Sequence, residues 1–462
     1  MVKSDFNFTK VDEDTYLITN YAGRHSFLTA GEFDAFCANK PLPQDKLTEL
    51  QNAYFCSSDN SEYFIQDYAQ AIRSYRDYLF AGTGLHIFVL TSQCNMKCVY
   101  CQASTLSHGQ KMTKETARKS VDLALQSPNS LLSFEFQGGE PLYNFEVLKY
   151  IVEYAEEHAG SKEIVFNLVS NLTLLTDEMV EFLEAHHVNI STSLDGHHAL
   201  QNTNRPIPGT DGYALWQKKC QLIRERTTRN LGAIQTTTRA SLPYYKEIVD
   251  EYIANDFHQV FIRPLTPLGY ASTHWTSIGY TAEEFIDFYQ RALNYIISRA
   301  KQGIRISEGH ACIFLDKILN HRAGNYTELT SPCGAALGQL AYNYDGKIYT
   351  CDEGRMLAQM GDDTFQLGAV DMQYHELFDN PVCKTVAHAS CLECIPQCES
   401  CVYAPYCGTC PVLNYYENKS VFLSSPNGYK CKIYKGMLDA IFAILHGKDT
   451  ETRDILHGWV GI

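Results

Sequence analysis

The sequence predicts an α/β protein built on a partial (β/α)6 barrel, with a small α+β module before the barrel and a cysteine-rich region after it. Between residues 85 and 264, short apolar runs alternate with amphipathic segments, the pattern of repeated βα units around a parallel sheet. Because a closed barrel of this type needs eight such units, six predict a barrel that is open on one side. The predicted strands cover residues 85–91, 132–136, 163–169, 188–194, 231–239 and 259–264.

The chain of 462 residues divides into three predicted regions. Residues 1–80 are predicted to form a small separate module, residues 85–305 the barrel with a helical bridge, and residues 306–462 a cysteine-rich domain. The longest helix of the bridge is predicted over residues 281–302. No long Gly/Ser-rich or Pro-rich linker interrupts the chain, so we expect the three regions to pack tightly.

The N-terminal module is predicted from a hairpin and the helix that follows it. Residues 14–19 and 24–29 are strand-forming runs on either side of a turn at residues 20–23, and residues 30–38 have helical spacing. Many small α+β modules share this order of elements. The pattern by itself therefore fits a structural cap.

Composition and charge exclude several classes of function. The net charge is −15 and no block of Lys and Arg occurs, which disfavours a nucleic-acid partner because a phosphate backbone is bound by clustered basic residues. No run of roughly eighteen apolar residues occurs, and the first residues lack the apolar core of a signal peptide. We therefore expect a soluble, cytoplasmic protein that binds neither nucleic acid nor membrane.

The cysteine content indicates metal ligation. Seventeen cysteines are many for a reducing compartment, where disulfides seldom persist. Three lie within residues 94–101 and eleven within residues 312–431, while Cys37, Cys56 and Cys220 stand alone. We expect the isolated cysteines to be buried apolar side chains.

The most specific motif is formed by Cys94, Cys98 and Cys101, with three and two residues between them. They follow the apolar run 85–91 and lie in a polar loop, at the strand end where α/β folds place reactive groups. Three thiolates hold three irons of a four-iron cluster and leave the fourth iron for a small molecule. A zinc knuckle or a set of buried structural thiols is the alternative. The run, with Tyr100 before its last cysteine, resembles the signature of the radical S-adenosylmethionine (SAM) enzymes.

That resemblance implies a (β/α)6 barrel and a cluster whose open iron binds SAM. In the family, the Gly-Gly-Glu segment after the second strand hydrogen-bonds the SAM amino group, and its glycines let the backbone approach a ligand. Segments after the third and fourth strands resemble those that contact the ribose and the methionine carboxylate. Ordinary strand-end capping is the alternative for each of these residues. The implied SAM contacts are Tyr100, Gly138, Gly139, Glu140, Ser170, Asn171, Ser193 and Arg205.

The C-terminal cysteines form a second pattern. In the run Cys398-x2-Cys401-x5-Cys407-x2-Cys410, the two pairs lie closer together than in a zinc ribbon, which favours clusters over zinc. The pattern resembles the SPASM domain of radical SAM maturases. That resemblance implies two auxiliary 4Fe-4S clusters, and three clusters in the whole chain.

The same resemblance implies the ligands of both auxiliary clusters. One set is Cys398, Cys401, Cys407 and Cys431; the other is Cys333, Cys351, Cys410 and, as the nearest upstream thiol, Cys312. The spacing before Cys410 departs from the family pattern, and three cysteines are extra. Any of these three could replace Cys410, or the cluster could keep an open iron that binds substrate. The extra cysteines are Cys383, Cys391 and Cys394.

The resemblance implies a maturase that abstracts a hydrogen atom from a ribosomally made peptide through a 5'-deoxyadenosyl radical and installs a crosslink or another oxidative change. The order of segments looks closest to maturases of the His-Xaa-Ser and three-residue cyclophane types, and the hairpin module looks like a leader-peptide recognition element. The implied partners are a precursor peptide and a small reductant protein such as flavodoxin or ferredoxin. No catalytic acid or base is assigned.

Two other functions stay open. One is a sulfatase-type maturase that forms formylglycine from Cys or Ser. The other is an iron–sulfur electron-transfer or carrier protein, which is disfavoured because such a protein would not need the Gly-Gly-Glu segment.

Overall fold

The computed structural model describes residues 1–57, 62–104, 108–422 and 427–462. Its first elements form a small α+β module in which three antiparallel strands, in the order β2-β3-β4, precede three helices. The predicted hairpin and the helix after it are confirmed. The elements are β1 (Val2–Lys3), β2 (Asn7–Lys10), β3 (Thr15–Thr19), β4 (His25–Thr29), α1 (Ala30–Cys37), α2 (Gln44–Asn52), β5 (Cys56–Ser57) and α3 (Glu62–Tyr75).

Local sequence explains the form of this module. The Thr29 side chain accepts a hydrogen bond from the backbone of Glu32, whose carboxylate accepts one from Thr29 in return, and this capping box starts α1. Strand β3 alternates between two cores, because Ile18 packs with Phe33 and Phe36 inside the module while Leu17 joins the main core of the protein. The module is therefore docked on the rest of the chain.

The barrel contains the six predicted parallel strands, each within three residues of its expected ends. The fifth strand ends earliest, because Thr238 and Ser241 form a capping turn that starts a 3₁₀ helix at Arg239. The elements are β6 (Leu85–Val89), α4 (Lys114–Ala124), β7 (Leu131–Gln137), α5 (Phe145–His158), β8 (Glu163–Val169), α6 (Asp177–Ala185), β9 (Asn189–Ser193), α7 (His198–Asn204), α8 (Gly212–Arg226), β10 (Leu231–Thr236), α9 (Tyr245–Ala254) and β11 (Gln259–Arg263).

A helical bridge and a cysteine-rich segment follow the barrel. The long bridge helix is confirmed, and a Thr281–Glu284 capping box starts it. The elements are α10 (Tyr270–Thr273), α11 (Trp275–Ile278), α12 (Ala282–Lys301), β12 (Ser307–Glu308), α13 (Gly309–Leu319), β13 (Gln339–Tyr342), β14 (Lys347–Tyr349), α14 (Asp352–Gln359), β15 (Gln366–Ala369), α15 (Tyr374–Asp379), α16 (Pro381–Ala389), α17 (Pro411–Asn418), α18 (Tyr429–His446) and α19 (Thr450–Trp459). Short 3₁₀ helices cover Asp77–Phe80, Pro141–Asn144, Arg239–Tyr244, Ala323–Asn325, Thr327–Leu329, Leu392–Cys394 and Ala404–Tyr406.

The C-terminal hairpin extends the barrel sheet, which the sequence did not predict. The sheet has ten strands in the order β12-β11-β10-β9-β8-β7-β6-β13-β14-β15, and β13 pairs parallel to β6. All four residues of β13 are buried, as expected for a strand that is covered on both faces. The barrel and the cysteine-rich region therefore share one continuous sheet.

The two faces of the barrel sheet differ in polarity. Side chains such as Phe88, Phe134 and Phe136 are fully buried against the surrounding helices. On the opposite face, Glu135 and Gln137 are only half-buried and line the barrel lumen. The lumen is therefore polar and open. Among the described residues, no helix is long and apolar enough to cross a membrane.

Candidate active site and cluster sites

The Cys94–Cys101 loop follows β6 at the carboxyl edge of the sheet and is held by backbone hydrogen bonds. Lys97 N donates to Pro206 O at 2.9 Å, Val99 N donates to Asn204 O at 2.9 Å, and Tyr270 N donates to Cys101 O at 2.9 Å. The loop is thus hydrogen-bonded to two segments that follow other barrel strands, one after β9 and one after β11. The structure brings its three thiols together. Burial raises the pKa of the Cys98 thiol to about 12, and the charges of the other two thiols add to that rise.

The Gly-Gly-Glu segment packs directly against the cysteine loop. Gly139 N donates to Thr91 O at 2.7 Å, and Glu140 N donates to Gln93 O at 2.8 Å. A Cβ on Gly138, which has a φ of 152°, would lie 2.4 Å from Thr91 O, and one on Gly139 would lie 2.2 Å from Gln93 O. These glycines were predicted to allow the close approach of a ligand. In the structure they allow the close approach of the cysteine loop.

The Glu140 carboxylate joins the ends of β7 and β8. It is buried and accepts hydrogen bonds from Ser170 Oγ at 2.7 Å, Asn171 N at 2.8 Å and Leu142 N at 3.1 Å. Burial raises its pKa to about 7, although the three hydrogen bonds act in the opposite direction. Asn171 Nδ2 in turn donates to Asn95 Oδ1 at 3.1 Å. Glu140 thus positions the residues that lie against the cysteine loop, and its predicted contact with SAM stays a prediction.

Arg205 and Tyr100 meet on a buried carboxylate that the sequence analysis missed. Asp195 accepts hydrogen bonds from Tyr100 Oη at 2.6 Å, Arg205 Nε at 3.1 Å and Asn204 Nδ2 at 3.1 Å. The Arg205 guanidinium also lies 5.2 Å above the Tyr100 ring. Burial by itself would lower the pKa of Arg205, but Asp195 raises it and keeps the guanidinium charged. The only signal in the sequence is that this acid directly precedes Gly196 at a strand end, which does not by itself indicate burial.

Arg205 has capacity for a further partner. Within the described residues, only its Nε makes a hydrogen bond, and its side chain is 11% exposed. The two free amino groups suit a carboxylate, which a guanidinium binds in a two-pronged geometry. The residues present therefore fit the methionine carboxylate of SAM. Ser193 is half-buried at the end of β9, where its carbonyl accepts a hydrogen bond from Gln201 Nε2 at 3.1 Å.

The structure brings together the four cysteines of the first auxiliary set. Burial raises the pKa of Cys407, and the charges of Cys401, Cys431 and Cys398 add to the rise. Three of these cysteines, Cys398, Cys401 and Cys407, lie on the loop of residues 398–407, and Cys431 lies in the first turn of α18. Four thiols from two segments match the donor set of a 4Fe-4S cluster.

The structure brings together only three cysteines of the second set. Cys333, Cys351 and Cys410 line one small cavity, which also contains Gln339, Glu328, Glu353 and Lys430. Burial raises the pKa of Cys333 to about 12, and the neighbouring Cys410 thiol adds to the rise. The spacing before Cys410 departs from the family pattern, but the Cys410 thiol still lies with those of Cys333 and Cys351.

Cys312 is not placed at this cavity. It lies on α13, where it accepts a hydrogen bond from Gln259 Nε2 at 3.6 Å near the start of β11. That position faces the amino ends of the strands, whereas the Cys94–Cys101 loop lies at their carboxyl ends. Proximity along the chain suggested Cys312 as a ligand, and the turn of α13 carries its thiol elsewhere. The extra cysteines also line none of this cavity: Cys383 is buried in the main core, and Cys391 donates to Glu393 at 3.2 Å.

The thiol sets have the donor chemistry of 4Fe-4S clusters, in which each thiolate binds a different iron. Among the described residues, no three His, Cys, Asp or Glu side chains converge closely enough to hold one metal ion.

The chain is similar to an iron–sulfur cluster family and to several known enzymes. Residues 80–215 match the family described as 4Fe-4S single cluster domain. A cysteine-type anaerobic sulfatase-maturating enzyme of Clostridium perfringens is 25% identical over 304 residues, which are 63% of this chain and 78% of that enzyme. The radical SAM cyclopropyl synthase TigE of Paramaledivibacter caminithermalis is 22% identical over 370 residues, covering 74% of this chain and 73% of that protein. The chain is an enzyme that is similar in sequence and fold to radical SAM enzymes.

One further relative matches in sequence, and two solved structures match in fold. An uncharacterized protein of Methanocaldococcus jannaschii is 28% identical over 168 residues, which span 36% of this chain and 58% of that protein. The structure of anSMEcpe with bound AdoMet and Cp18Cys peptide matches with a TM-score of 0.69 at 21% identity, over 82% of this chain and 99% of that chain. The structure of Streptococcus suis SuiB bound to precursor peptide SuiA matches with a TM-score of 0.53 at 15% identity, over 91% of this chain and 97% of that chain.

The lumen of this enzyme opens into a large cavity. The cavity has a volume of about 1040 Å³ and is lined on the barrel side by Ser191, Gly232, Ile234 and Phe261. These residues lie on the same face of the sheet as the half-buried lumen residues of β7, because neighbouring parallel strands hold them in register. The cavity is also lined by Asn230, Gln259 and Cys312 at the amino ends of the strands, so it lies at the opposite end of the barrel from the Cys94–Cys101 loop.

The N-terminal module of the enzyme docks on the cysteine-rich region. Thr19 Oγ1 donates to Val402 O at 2.6 Å, Tyr75 Oη donates to Pro405 O at 2.8 Å, and Asn7 Nδ2 donates to Cys401 O at 3.1 Å. The expected cap on the barrel is therefore a contact with the 398–407 loop. Strand β2 is an edge strand that pairs only with β3 in the described part of the chain.

Proposed function

We propose that the enzyme is a maturase that modifies a ribosomally made peptide at an unactivated carbon. One observation carries the proposal: the three thiols of the Cys94–Cys101 loop are gathered at the carboxyl edge of the sheet, beside the free amino groups of Arg205 and above an open polar lumen. The cysteines supply a cluster site, the arginine supplies a site for an amino-acid carboxylate, and the lumen supplies space for a substrate.

The residues around the loop have distinct proposed roles. A 4Fe-4S cluster with bound SAM supplies a 5'-deoxyadenosyl radical that abstracts hydrogen. Arg205 binds the SAM carboxylate, and Asp195 fixes the orientation of Arg205. Glu140 positions Asn171 and Ser170, which lie on the cysteine side of the pocket, and Tyr100 shields the cluster from water. The chain's own task is to hold one C–H bond of the peptide in reach of the radical.

The two C-terminal thiol sets are proposed to hold auxiliary clusters, which makes three clusters in the enzyme. Clusters held there would give the electron released on oxidation of the peptide radical a route to the oxidised form of a small redox protein such as flavodoxin or ferredoxin. The set of Cys398, Cys401, Cys407 and Cys431 has four thiols and suits electron transfer.

The N-terminal module is proposed to bind the leader of the precursor peptide. The edge of β2 can accept an added strand, because an edge strand presents unpaired backbone groups. The match to peptide-bound SuiB, which extends over 91% of this chain, supports this role in fold terms. Because the module contacts the 398–407 loop, a bound leader would lie near that auxiliary site.

Formation of formylglycine is the second candidate. The relative of Clostridium perfringens named for sulfatase maturation aligns over 78% of its own length, which favours this candidate. The two chemistries leave different products: a crosslink removes two hydrogens from the peptide, whereas oxidation of a cysteine replaces its thiol with an aldehyde.

Co-expression with substrate tests the proposal. The enzyme would be produced anaerobically with each short open reading frame next to its gene, and separately with a sulfatase-derived cysteine peptide. We expect a short precursor to lose hydrogen and to gain a bond that survives protease digestion, as seen by tandem mass spectrometry. Aldehyde formation on the sulfatase peptide, with no change in any neighbouring peptide, would replace the first function with the second.

A further inference from the structure

The cavity of the second auxiliary set contains three thiols and no fourth among the described residues. Cys333, Cys351 and Cys410 line it together with four polar side chains. Three thiolates account for three irons of a four-iron cluster, so one iron must take another ligand or stay open. The four polar side chains are Gln339, Glu328, Glu353 and Lys430.

Two of these four groups, Glu328 and Lys430, form a salt bridge with each other. Glu328 lies 3.4 Å from Arg263 Nη2 and 3.4 Å from Lys430 Nζ, and it also accepts a hydrogen bond from Tyr326 Oη at 3.2 Å. Release of this carboxylate would leave two half-buried cations without this partner, so Glu328 is held in place by both of them. Lys430 carries a charged ammonium, which has no lone pair for iron.

Gln339 is a weaker candidate than Glu353. Its amide is neutral, and it lies on β13, where all four residues are buried. Glu353 offers a carboxyl oxygen on the first turn of α14, two residues after Cys351, and it forms no salt bridge in the described part of the chain. A carboxylate binds iron more strongly than an amide because it carries charge.

We propose that the Glu353 carboxylate is the fourth ligand of the auxiliary cluster held by Cys333, Cys351 and Cys410. This inference rests on the proposed function, because it assumes that a cluster occupies this set. It fills the position that the sequence analysis gave to Cys312, and it closes a cluster that would otherwise keep an open iron. An oxygen ligand is hard and is displaced from iron by thiolates more readily than a fourth cysteine would be. The cluster is therefore closed at rest and exchangeable toward a soft ligand.

The test uses the full-length chain reconstituted with ⁵⁷Fe, carrying Cys94→Ala, Cys98→Ala and Cys101→Ala so that only the two auxiliary clusters remain. Mössbauer spectra are recorded for this parent and for the parent with Glu353→Gln, Glu353→Cys or Glu328→Gln. We expect about one iron in eight of the parent to show oxygen ligation, on the basis of four irons per cluster. Glu353→Cys should remove that signal, and Glu328→Gln, the matched control from the same cavity, should retain it.

Added cyanide provides the second measurement. It should alter the spectrum of the Glu353→Gln protein at a lower cyanide concentration than that of the parent, because the variant has an open iron whereas in the parent cyanide must displace the carboxylate. A parent that binds cyanide at the same concentration as Glu353→Gln has an open site, and this result overturns the assignment. The same follows if Glu328→Gln reproduces the Glu353→Gln spectrum. If Glu353→Gln loses this cluster, Glu353→Cys decides, since it must retain about eight irons if position 353 faces the cluster.

One result separates this inference from the proposed function. A parent with only about four irons has no cluster in the three-thiol cavity, which overturns both the Glu353 assignment and the count of three clusters. The maturase activity would still stand or fall by the SAM site. With about eight irons and no oxygen-ligated iron, the second auxiliary cluster survives and only the role of Glu353 is refuted.

Discussion

Replacement of Gly139 by Ala tests how the SAM site is built. The new Cβ would lie 2.2 Å from Gln93 O and 2.5 Å from Gln93 C, both backbone atoms that cannot rotate away. Ordinary contact requires 3.4 Å or more, so the cysteine loop must withdraw by about 1 Å. Overpacking of this kind costs about 1–3 kcal/mol of unfolding free energy. A 1 Å displacement of a reacting group costs about 100-fold in rate.

The assay measures 5'-deoxyadenosine formed from SAM and dithionite, together with the melting temperature of the protein without SAM. Gly458→Ala on α19 is the matched control, because its Cβ would meet no atom within 4 Å. We expect Gly139→Ala to melt lower than wild type and to cleave SAM about 100-fold more slowly, and the control to match wild type. If Gly139→Ala melts like the control and loses only SAM affinity, the glycine serves ligand approach and the packing argument is refuted.

Three further changes test other parts of the molecule. Asp195→Asn breaks a buried ion pair with Arg205, so we expect a loss of about 3–5 kcal/mol in unfolding free energy and weaker SAM binding by calorimetry; unchanged stability would contradict the role of Asp195. Burial lowers the pKa of His86 to about 3. Below about pH 6.5 this histidine therefore binds a proton in the unfolded chain but not in the folded chain. The free energy of unfolding must then decrease as the pH is lowered. Between about pH 6.5 and 5, the melting temperature of His86→Leu should therefore fall less steeply than that of wild type. Equal slopes would contradict the lowered pKa of His86. A chain starting at Gly82 should retain SAM cleavage and lose precursor turnover; loss of SAM cleavage as well would show that the module supports the barrel and not only the leader.

Most of the barrel could be predicted because its signals are local. Each strand is a short apolar run between polar turns, and the helices between strands repeat their apolar residues three and four apart. The ends were less certain, because capping decides them. Residues 237–239 continue the pattern of the fifth strand, but the Thr238–Ser241 turn ends it at Thr236.

Long-range contacts were beyond the sequence. Nothing local shows that β13 pairs with β6, because the two strands lie more than two hundred residues apart in the chain. The cysteine motifs gave the right neighbourhoods, since three or four thiols in a short segment must lie close together. Cys312 failed for the opposite reason: it was chosen by proximity along the chain, and the direction of a side chain depends on the turn of its helix.

Asp195 and Glu353 illustrate a second limit. Acidic residues are frequent on protein surfaces, so a single one in a sequence gives no reason to expect burial. Asp195 becomes significant only when Tyr100, Asn204 and Arg205 converge on it. Glu353 becomes significant only when three thiols share its cavity.

The central claim is that Cys94, Cys98 and Cys101 hold the cluster that binds SAM. The most direct measurement is 5'-deoxyadenosine formation and iron content of the Cys94→Ala, Cys98→Ala, Cys101→Ala enzyme after anaerobic reconstitution, with circular dichroism to establish that it is folded. The account predicts complete loss of SAM cleavage and loss of about one third of the iron, since each of three clusters holds four irons. A folded triple variant that still cleaves SAM would contradict it.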